Sequence, residues 1–229
     1  MSTVRNVNAP PPEHVMVLDG QGWVGLVNHM GDETTAVNAA RVSFGKMQDQ
    51  MGERDVGLLR YLIEHHHTSP LEHVVFTFLV HCPLFVRSQW HRHRMWSYNE
   101  ISRRYTEVDI TFYVPPVVRE QAEDNRQASV DSGNLDQDEL RRLITENNER
   151  CMQVYQTLLD RGACREQARG VLPQNMMTTF WGTVDLHNLL SFIQLRDSDH
   201  AQWEIRQYAV AIKQLVRPYL PNIAKIMKW

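Results

Sequence analysis

Cysteine is scarce. Cys82, Cys151 and Cys164 are the three in 229 residues, an odd number without Cys-x-x-Cys spacing. That argues against a disulfide framework and fits a reducing compartment. None has a clear local partner of the kind a thiol nucleophile needs, and Cys151 and Cys164 read as packing residues. Long apolar runs are also missing: none approaches the roughly 18 residues of a membrane span. The opening MSTVRNVNAPPPEH lacks the apolar centre of a secretory signal. The chain is therefore expected in the cytoplasm, away from membranes. No internal repeat or low-complexity tract appears. With 42% hydrophobic and 22% charged residues, the chain is expected to fold as one domain over 1–229.

A strong excess of positive charge occurs in one place. The net charge is −3, yet residues 87–105, RSQWHRHRMWSYNEISRRY, contain Arg87, Arg92, Arg94, Arg103 and Arg104 against Glu100, a local +4 that leaves −7 elsewhere. A strong positive field on an acidic chain points to a chosen anion. Arginine's planar fork suits phosphate, and Gln89, Ser97, Tyr98, Asn99 and Ser102 add neutral groups that can fix an orientation.

Around this stretch the expected elements follow in order. Residues 1–14 form an extended entry, stiffened by Pro10, Pro11 and Pro12. Val15–Leu18 and Trp23–Val27 make a hairpin about Asp19-Gly-Gln-Gly22. Asp32 caps a helix ending near Gly45, and a second helix runs from Asp55 through Leu58, Leu59, Leu62 and Ile63. It ends at His65-His66-His67. Three adjacent histidines invite a metal reading, but consecutive residues do not share a helix face, so no metal site is assigned. Val74–Val86 reads as a long strand, interrupted or edged at Pro83, that delivers the arginine stretch as a loop. Val108–Val114 reads as a short strand, and 119–134 as a surface excursion with no role.

Leu135 and Asp136 open a helix whose buried stripe is Leu140, Leu143, Ile144, Cys151, Val154, Leu158 and Leu159, closed by Gly162. Arg165–Arg169 is a short helix whose Glu166 and Arg169 share a face, which by itself means a surface ion pair. Asp185 caps a helix ending at Leu195-Arg196, and another starts at Ser198 or Asp199 and stops at Pro218. Strands with helices first and helices alone later predict an α+β fold: a mostly antiparallel sheet flanked by helices, with a helical C-terminal half.

The run Arg92-His93-Arg94, continuing as Arg-His-Arg-x-x-Ser-x-Asn-Glu-x-Ser-x-Arg-Tyr to Tyr105, resembles the signature of the flavin-dependent thymidylate synthases. Three further blocks resemble the same family. They are His67, Ser69, Pro70, Glu72 and His73; Arg165-Glu-Gln-Ala-Arg169; and the set Phe192, Leu195, Arg196, His200, Ala201, Gln202 and Glu204. The resemblance implies methylation of dUMP to dTMP with FAD as cofactor, 5,10-methylenetetrahydrofolate as one-carbon donor and NADPH as reductant. It also implies a homotetramer with shared active sites, and no nucleic-acid partner.

For dUMP the resemblance implies Gln89, Arg92, Glu100, Ser102, Arg103, Arg104, Arg169 and Arg196, with Arg169 on the phosphate and Arg196 facing the uracil ring as the catalytic cation. For FAD it implies His67, Ser69, Arg92, His93, Arg94, Asn99 and Glu100, with Asp185, His187 and Ser191. Those last three stand where the family commonly has Asn, Arg and Asn, so the flavin's hydrogen bonds are expected to differ here.

For the reaction that the resemblance implies, moving a methylene to uracil C5 and reducing it to methyl requires two electrons that no side chain supplies, so a redox cofactor must. Two other readings predict different things. A non-catalytic nucleotide or nucleic-acid module would stack bases on Trp90, Trp96, Tyr98 and Tyr105, and a histidine metallohydrolase would hold zinc.

Overall fold

The hairpin expected near the N-terminus forms, and it shows how the chain tolerates local strain. In the computed structural model, which describes residues 6–123 and 129–229, β1 (His14–Val17) pairs antiparallel with β2 (Gly22–Met30). Between them Leu18, Asp19 and Gly20 all have positive φ, at 54°, 53° and 81°. Glycine and aspartate adopt that region readily, but leucine does so at a cost of about 1–2 kcal/mol. The Leu18 side chain is only 2% exposed, so burial of its apolar surface offsets the strain. Residues 1–5 of the expected entry lie outside the described residues. Asn8 accepts from the Thr179 hydroxyl at 2.6 Å, and the segment then reaches β2, where Leu26 N–H donates to Glu13 O.

The sheet is built on β3 (Val75–Pro83) and β7 (Met177–Asp185), paired antiparallel from Val75 opposite Asp185 to Pro83 opposite Met177. With β4 (Ser97–Glu100) the strand order is β1-β2-β3-β7-β4, every neighbour antiparallel. Phe76, Phe78, Val80 and Cys82 project from β3 into the core. Phe78 faces Gly182, which leaves room for Trp96: a Cβ at Gly182 would stand 3.1 Å from the Trp96 ring.

Helices cover the buried face. Among them are α1 (Glu33–Arg41), α2 (Glu53–Glu64), α6 (Leu186–Arg196), α7 (Trp203–Val216) and α8 (Pro221–Ile226). Asp32 caps α1 as expected, forming a capping box with Thr35. Asp55 is not the first residue of α2 but its third. Its carboxylate accepts from Gly52 N–H at 2.7 Å and pairs with Arg41.

The fold class holds, with five corrections. The C-terminal half is not purely helical, because β7 is an interior strand; Thr178, Thr179 and Gly182 lie buried while Trp181 is exposed, so apolar and polar residues do not alternate in its sequence. The strand expected over Val74–Val86 stops at Pro83, and α3 (Leu84–Trp90) follows. The first N–H groups of α3 are satisfied from outside, Leu84 by Met176 O and Phe85 by Gln174 O. Val108–Val114 makes only an isolated bridge, Phe112 to Met176. The helix α4 (Gln137–Asp160) forms with Asp136 as cap, but Leu143 and Val154 are exposed at 48% and 41%, and its buried residues are Asn148 and Tyr155. Finally, α7 starts at Trp203, so Ser198–Gln202 is a turn.

In the 119–134 stretch a small ribbon forms from β5 (Glu120–Gln121) and β6 (Ser129–Val130), while 124–128 lie outside the described residues. The short α5 (Arg165–Ala168) sits where expected, with Gly162 at φ 89° closing α4 before it. Cys164 is exposed rather than packed.

Glu33, 4% exposed, closes the fold. Its carboxylate accepts from the backbone N–H groups of Asn222 and Ile223 and from the Asn222 amide, each at 2.7 Å, which caps α8. Glu33→Ala is expected to cost about 2–3 kcal/mol, since it strips an ionised acceptor from buried donors. It should also open residues 221–229 to carboxypeptidase. Denaturant unfolding and mass analysis of the trimmed chain measure both effects, and no change in either would mean that Ile223 packing alone holds α8.

Candidate active site

Arg196 ends α6, and its guanidinium is held on two sides. Nε donates to His93 Nε2 at 3.0 Å, and Nη2 donates to the Gln89 carbonyl at 3.3 Å. For His93 to accept at Nε2 its ring must be neutral, with its proton on Nδ1. Burial, reinforced by the Arg196 cation, holds the His93 pKa down at about 4. Burial also lowers the pKa of Arg196. Three of Arg196's five N–H groups remain for a cleft of about 560 Å³, which Gln89, Arg119, His200, Gln202 and Glu204 also line. The cation is thus fixed before any ligand arrives.

The arginines of the 87–105 stretch divide by role. Arg87 Nε lies 3.2 Å from Glu100 Oε2, and Glu100 Oε1 accepts from Thr178 at 2.7 Å. Arg103 is 4% exposed and donates to the carbonyls of Val108 and Asp109, so it shapes the loop and offers nothing outward. Arg92 and Arg94 are exposed and meet no partner among the described residues. Asn99, on β4, is likewise exposed with its side chain free.

A second polar surface lies around Ser102. Its hydroxyl accepts from Arg104 N–H at 3.3 Å, and Arg104 Nη2 lies 3.4 Å from Glu166. Glu166 therefore serves Arg104, and the Glu166–Arg169 pair does not form. Arg169 Nε instead donates to Glu166 O at 3.3 Å, which leaves its charge without a carboxylate among the described residues. Neither Ser102, Arg104 nor Arg169 lines the Arg196 cleft.

The third group surrounds the start of α6. The turn Ser69–His73 packs against α1 and α6, with His67 and Ser69 exposed beside it. Asp185 caps α6 by accepting from Asn188 N–H at 3.0 Å, and Ser191 donates to His187 O at 3.1 Å. Of these three residues, His187 alone has a side chain without a partner among the described residues.

The competing readings lose their geometry. Trp90 and Trp96 are buried, so they cannot serve as stacking platforms for bases. His65 stacks on Tyr61 with ring centroids 4.1 Å apart, and His66 turns through φ 55°. No group of three or more His, Cys, Asp or Glu among the described residues could hold a metal ion. Cys82 is fully buried, and burial, with Glu100 adding, pushes its thiol well up. Arg119, Trp203 and Tyr113, which complete the Arg196 cleft and its support, carried no signal in the sequence.

A fixed cation beside a polar cleft, with unpaired arginines in the turn before β4, is an arrangement suited to an anionic ligand. The model of the thymidylate synthase complementing protein family matches residues 25–222. A flavin-dependent thymidylate synthase of Thermus thermophilus is 47% identical over 210 residues, covering 92% of this chain and 76% of the relative. That of Thermosipho africanus is 44% identical over 209 residues, covering 90% of each. Among solved structures, a UMP/dUMP methylase, PolB, from Streptomyces cacaoi bound with 5-Br dUMP superposes with a TM-score of 0.81 at 32% identity, covering 96% of both chains. The chain belongs to the thymidylate synthase complementing protein family.

The His93–Arg196 contact has a pH signature. The folded value, about 4, lies below the roughly 6.5 of an unfolded histidine. The unfolded chain therefore binds more protons between those values, and stability falls as pH drops through that window and levels off below it. His81, which burial and Arg103 also push down to about 4, adds with the same sign. Imidazole NMR should give His93 a midpoint near 4, and Arg196→Gln should raise it by removing the like charge. A midpoint near 6.5 in the unaltered chain would mean a solvated ring not bonded to Arg196.

Proposed function

We propose that this chain is a flavin-dependent thymidylate synthase that converts dUMP to dTMP, using 5,10-methylenetetrahydrofolate as one-carbon donor and NADPH as reductant, with FAD as cofactor. The observation that carries the reading is the Arg196 guanidinium, fixed by a neutral His93 and a backbone carbonyl with donors left for the cleft. Relatives named for this activity at 44–47% identity support it.

The overall reaction replaces the C5 hydrogen of uracil by methyl: a carbon–carbon bond forms at C5, a proton leaves C5, the two carbon–nitrogen bonds of the methylene to the folate break, and a hydride completes the methyl as tetrahydrofolate is released. Flavin, when bound, supplies the electrons of that hydride. Arg196 stabilises negative charge on the uracil carbonyl and N3 as C5 becomes nucleophilic. A preorganised charge of this kind is worth about 3–4 kcal/mol, because no reorganisation is needed at the moment of reaction. Ser102, Arg104 and Arg169 bind the dUMP phosphate. No cysteine attacks the ring: Cys82 is buried, and neither Cys151 nor Cys164 lines the cleft.

The residues fit an FAD. Arg92 and Arg94, exposed cations without partners, suit its diphosphate, and His67, Ser69, Asn99 and His187 offer polar side chains around it. His93 stays with Arg196, and Glu100 with Arg87 and Thr178, so in this reading those two shape the site's inner wall. With Asp185 and Ser191 engaged inside α6, His187 carries the contact at that end.

Because none of the phosphate set lines the Arg196 cleft of the same chain, we place the complete site between subunits of a homotetramer. The long, largely exposed α4 supports such an assembly. The enzyme works in the cytoplasm.

Arg196→Ala should keep the visible flavin band after desalting yet lower kcat for dTMP formation by about 10²–10³. Near-normal turnover would remove Arg196 from the chemistry, and a chain that never retains flavin would overturn the function. Ser102→Ala should raise the dUMP KM with little change in kcat, as expected for uniform binding. A collapsed kcat at unchanged dUMP affinity would make the hydroxyl a participant in the reaction.

A further inference from the structure

One wall of the Arg196 cleft comes from a segment outside every recognised motif. Arg119 enters the cleft just before β5 and is fastened on three sides. Its Nη2 lies 2.5 Å from Glu204 Oε1, its Nε donates to Ser129 Oγ at 2.9 Å, and its guanidinium sits 4.8 Å above the Trp203 ring. Glu204 is almost fully buried. A carboxylate at that depth needs a counter-charge, and Arg119 provides it.

The charge on Glu204 imposes a direction on the hydrogen bonds beyond it. A carboxylate facing a guanidinium only accepts hydrogen bonds. Its second oxygen accepts from Gln202 Nε2 at 2.8 Å, which turns the Gln202 amide oxygen the other way. That oxygen accepts in turn from Gln89 Nε2. Gln89 therefore commits its nitrogen to Gln202, and its Oε1 receives no hydrogen bond from any described residue. Without Glu204 either amide could turn over at little cost; with it, only one arrangement satisfies every group. The cleft then presents an acceptor, Gln89 Oε1, next to the donors of Arg196.

We propose that Glu204, neutralised by Arg119, is a positioning residue that fixes through Gln202 which end of the Gln89 amide faces the cleft, and so sets a preference for uracil over cytosine. The inference rests on the proposed dUMP activity. Uracil N3 carries a proton flanked by carbonyls, a match for an acceptor beside a cation. In the same pose cytosine N3 is a bare lone pair, which would face the Gln89 oxygen. A site built to hydrogen-bond one edge rejects the other because its polar groups are left unpaired.

The test is equilibrium binding of dUMP and dCMP to the FAD-loaded full chain, read as the ratio of dissociation constants. The unaltered protein should favour dUMP by about 100-fold or more. Glu204→Gln, whose amide can donate or accept, should cut that ratio at least about tenfold, since Gln202 and Gln89 are then free to turn. Arg119→Lys, which keeps the charge, should retain most of the ratio.

Because Glu204→Gln leaves a buried cation, the double variant Glu204→Gln with Arg119→Met removes both charges and should show the same reduced ratio in a folded protein. If affinity falls equally for both nucleotides in the double variant, with the ratio intact, Glu204 is merely structural and the proposal fails. If the unaltered protein binds dCMP as well as dUMP, the proposal fails while the function stands. If it binds no dUMP at all, both fall.

Discussion

The site depends on the stacking of Trp90 against Phe192, with ring centroids 4.7 Å apart. Trp90 also meets Trp96, Phe180 and Tyr208 at 5.2–5.8 Å, so one side chain joins α3, β7, α6 and α7. Gln89 precedes it in the chain and His93 follows three residues later, while Arg196 lies four residues beyond Phe192. Apolar packing thus fixes the distance between the cation and the groups that hold it. The polar contacts, at 3.0 and 3.3 Å, are kept in register by the rings packed beneath them.

Counter-charges sort the arginines into two kinds. Arg103 and Arg119 are enclosed and hold backbone or a buried carboxylate, while Arg87 lies beside Glu100. Arg92, Arg94 and Arg169 stand with no carboxylate among the described residues. Cations left unpaired cost little in water and are available to phosphate, whereas those in pairs would have to break a contact first. The local +4 of the 87–105 stretch therefore overstates what a ligand meets, and the free charge is concentrated at a few positions.

What the sequence made legible was local. Asp32, Asp136 and Asp185 were readable as caps because a cap is a contact across three residues, and the hairpin at Asp19 because a turn needs special backbone angles. β7 escaped because its buried positions include Thr178, Thr179 and Gly182 while Trp181 faces outward, which hides the alternation, and α3 because its apolar start continues the strand before it. The arginine stretch carried the family resemblance through composition and motif. The link from Arg119 to Glu204 could not be read, because it joins positions 85 apart in the chain and neither residue's neighbours hint at the other.

The central pairing of β3 with β7 also sets a timetable for synthesis. Thr77 and Thr183, bonded across that pair at 3.0 Å, are separated by 106 positions. At about 5–20 residues per second, β3 leaves the ribosome some 5–20 s before its partner exists. During that interval a nine-residue apolar strand has one edge without its native neighbour. Such an edge is a template for pairing with another nascent chain. β2 can pair with the opposite edge early, so the N-terminal strands act as an internal chaperone for half of β3 while the other half waits for β7.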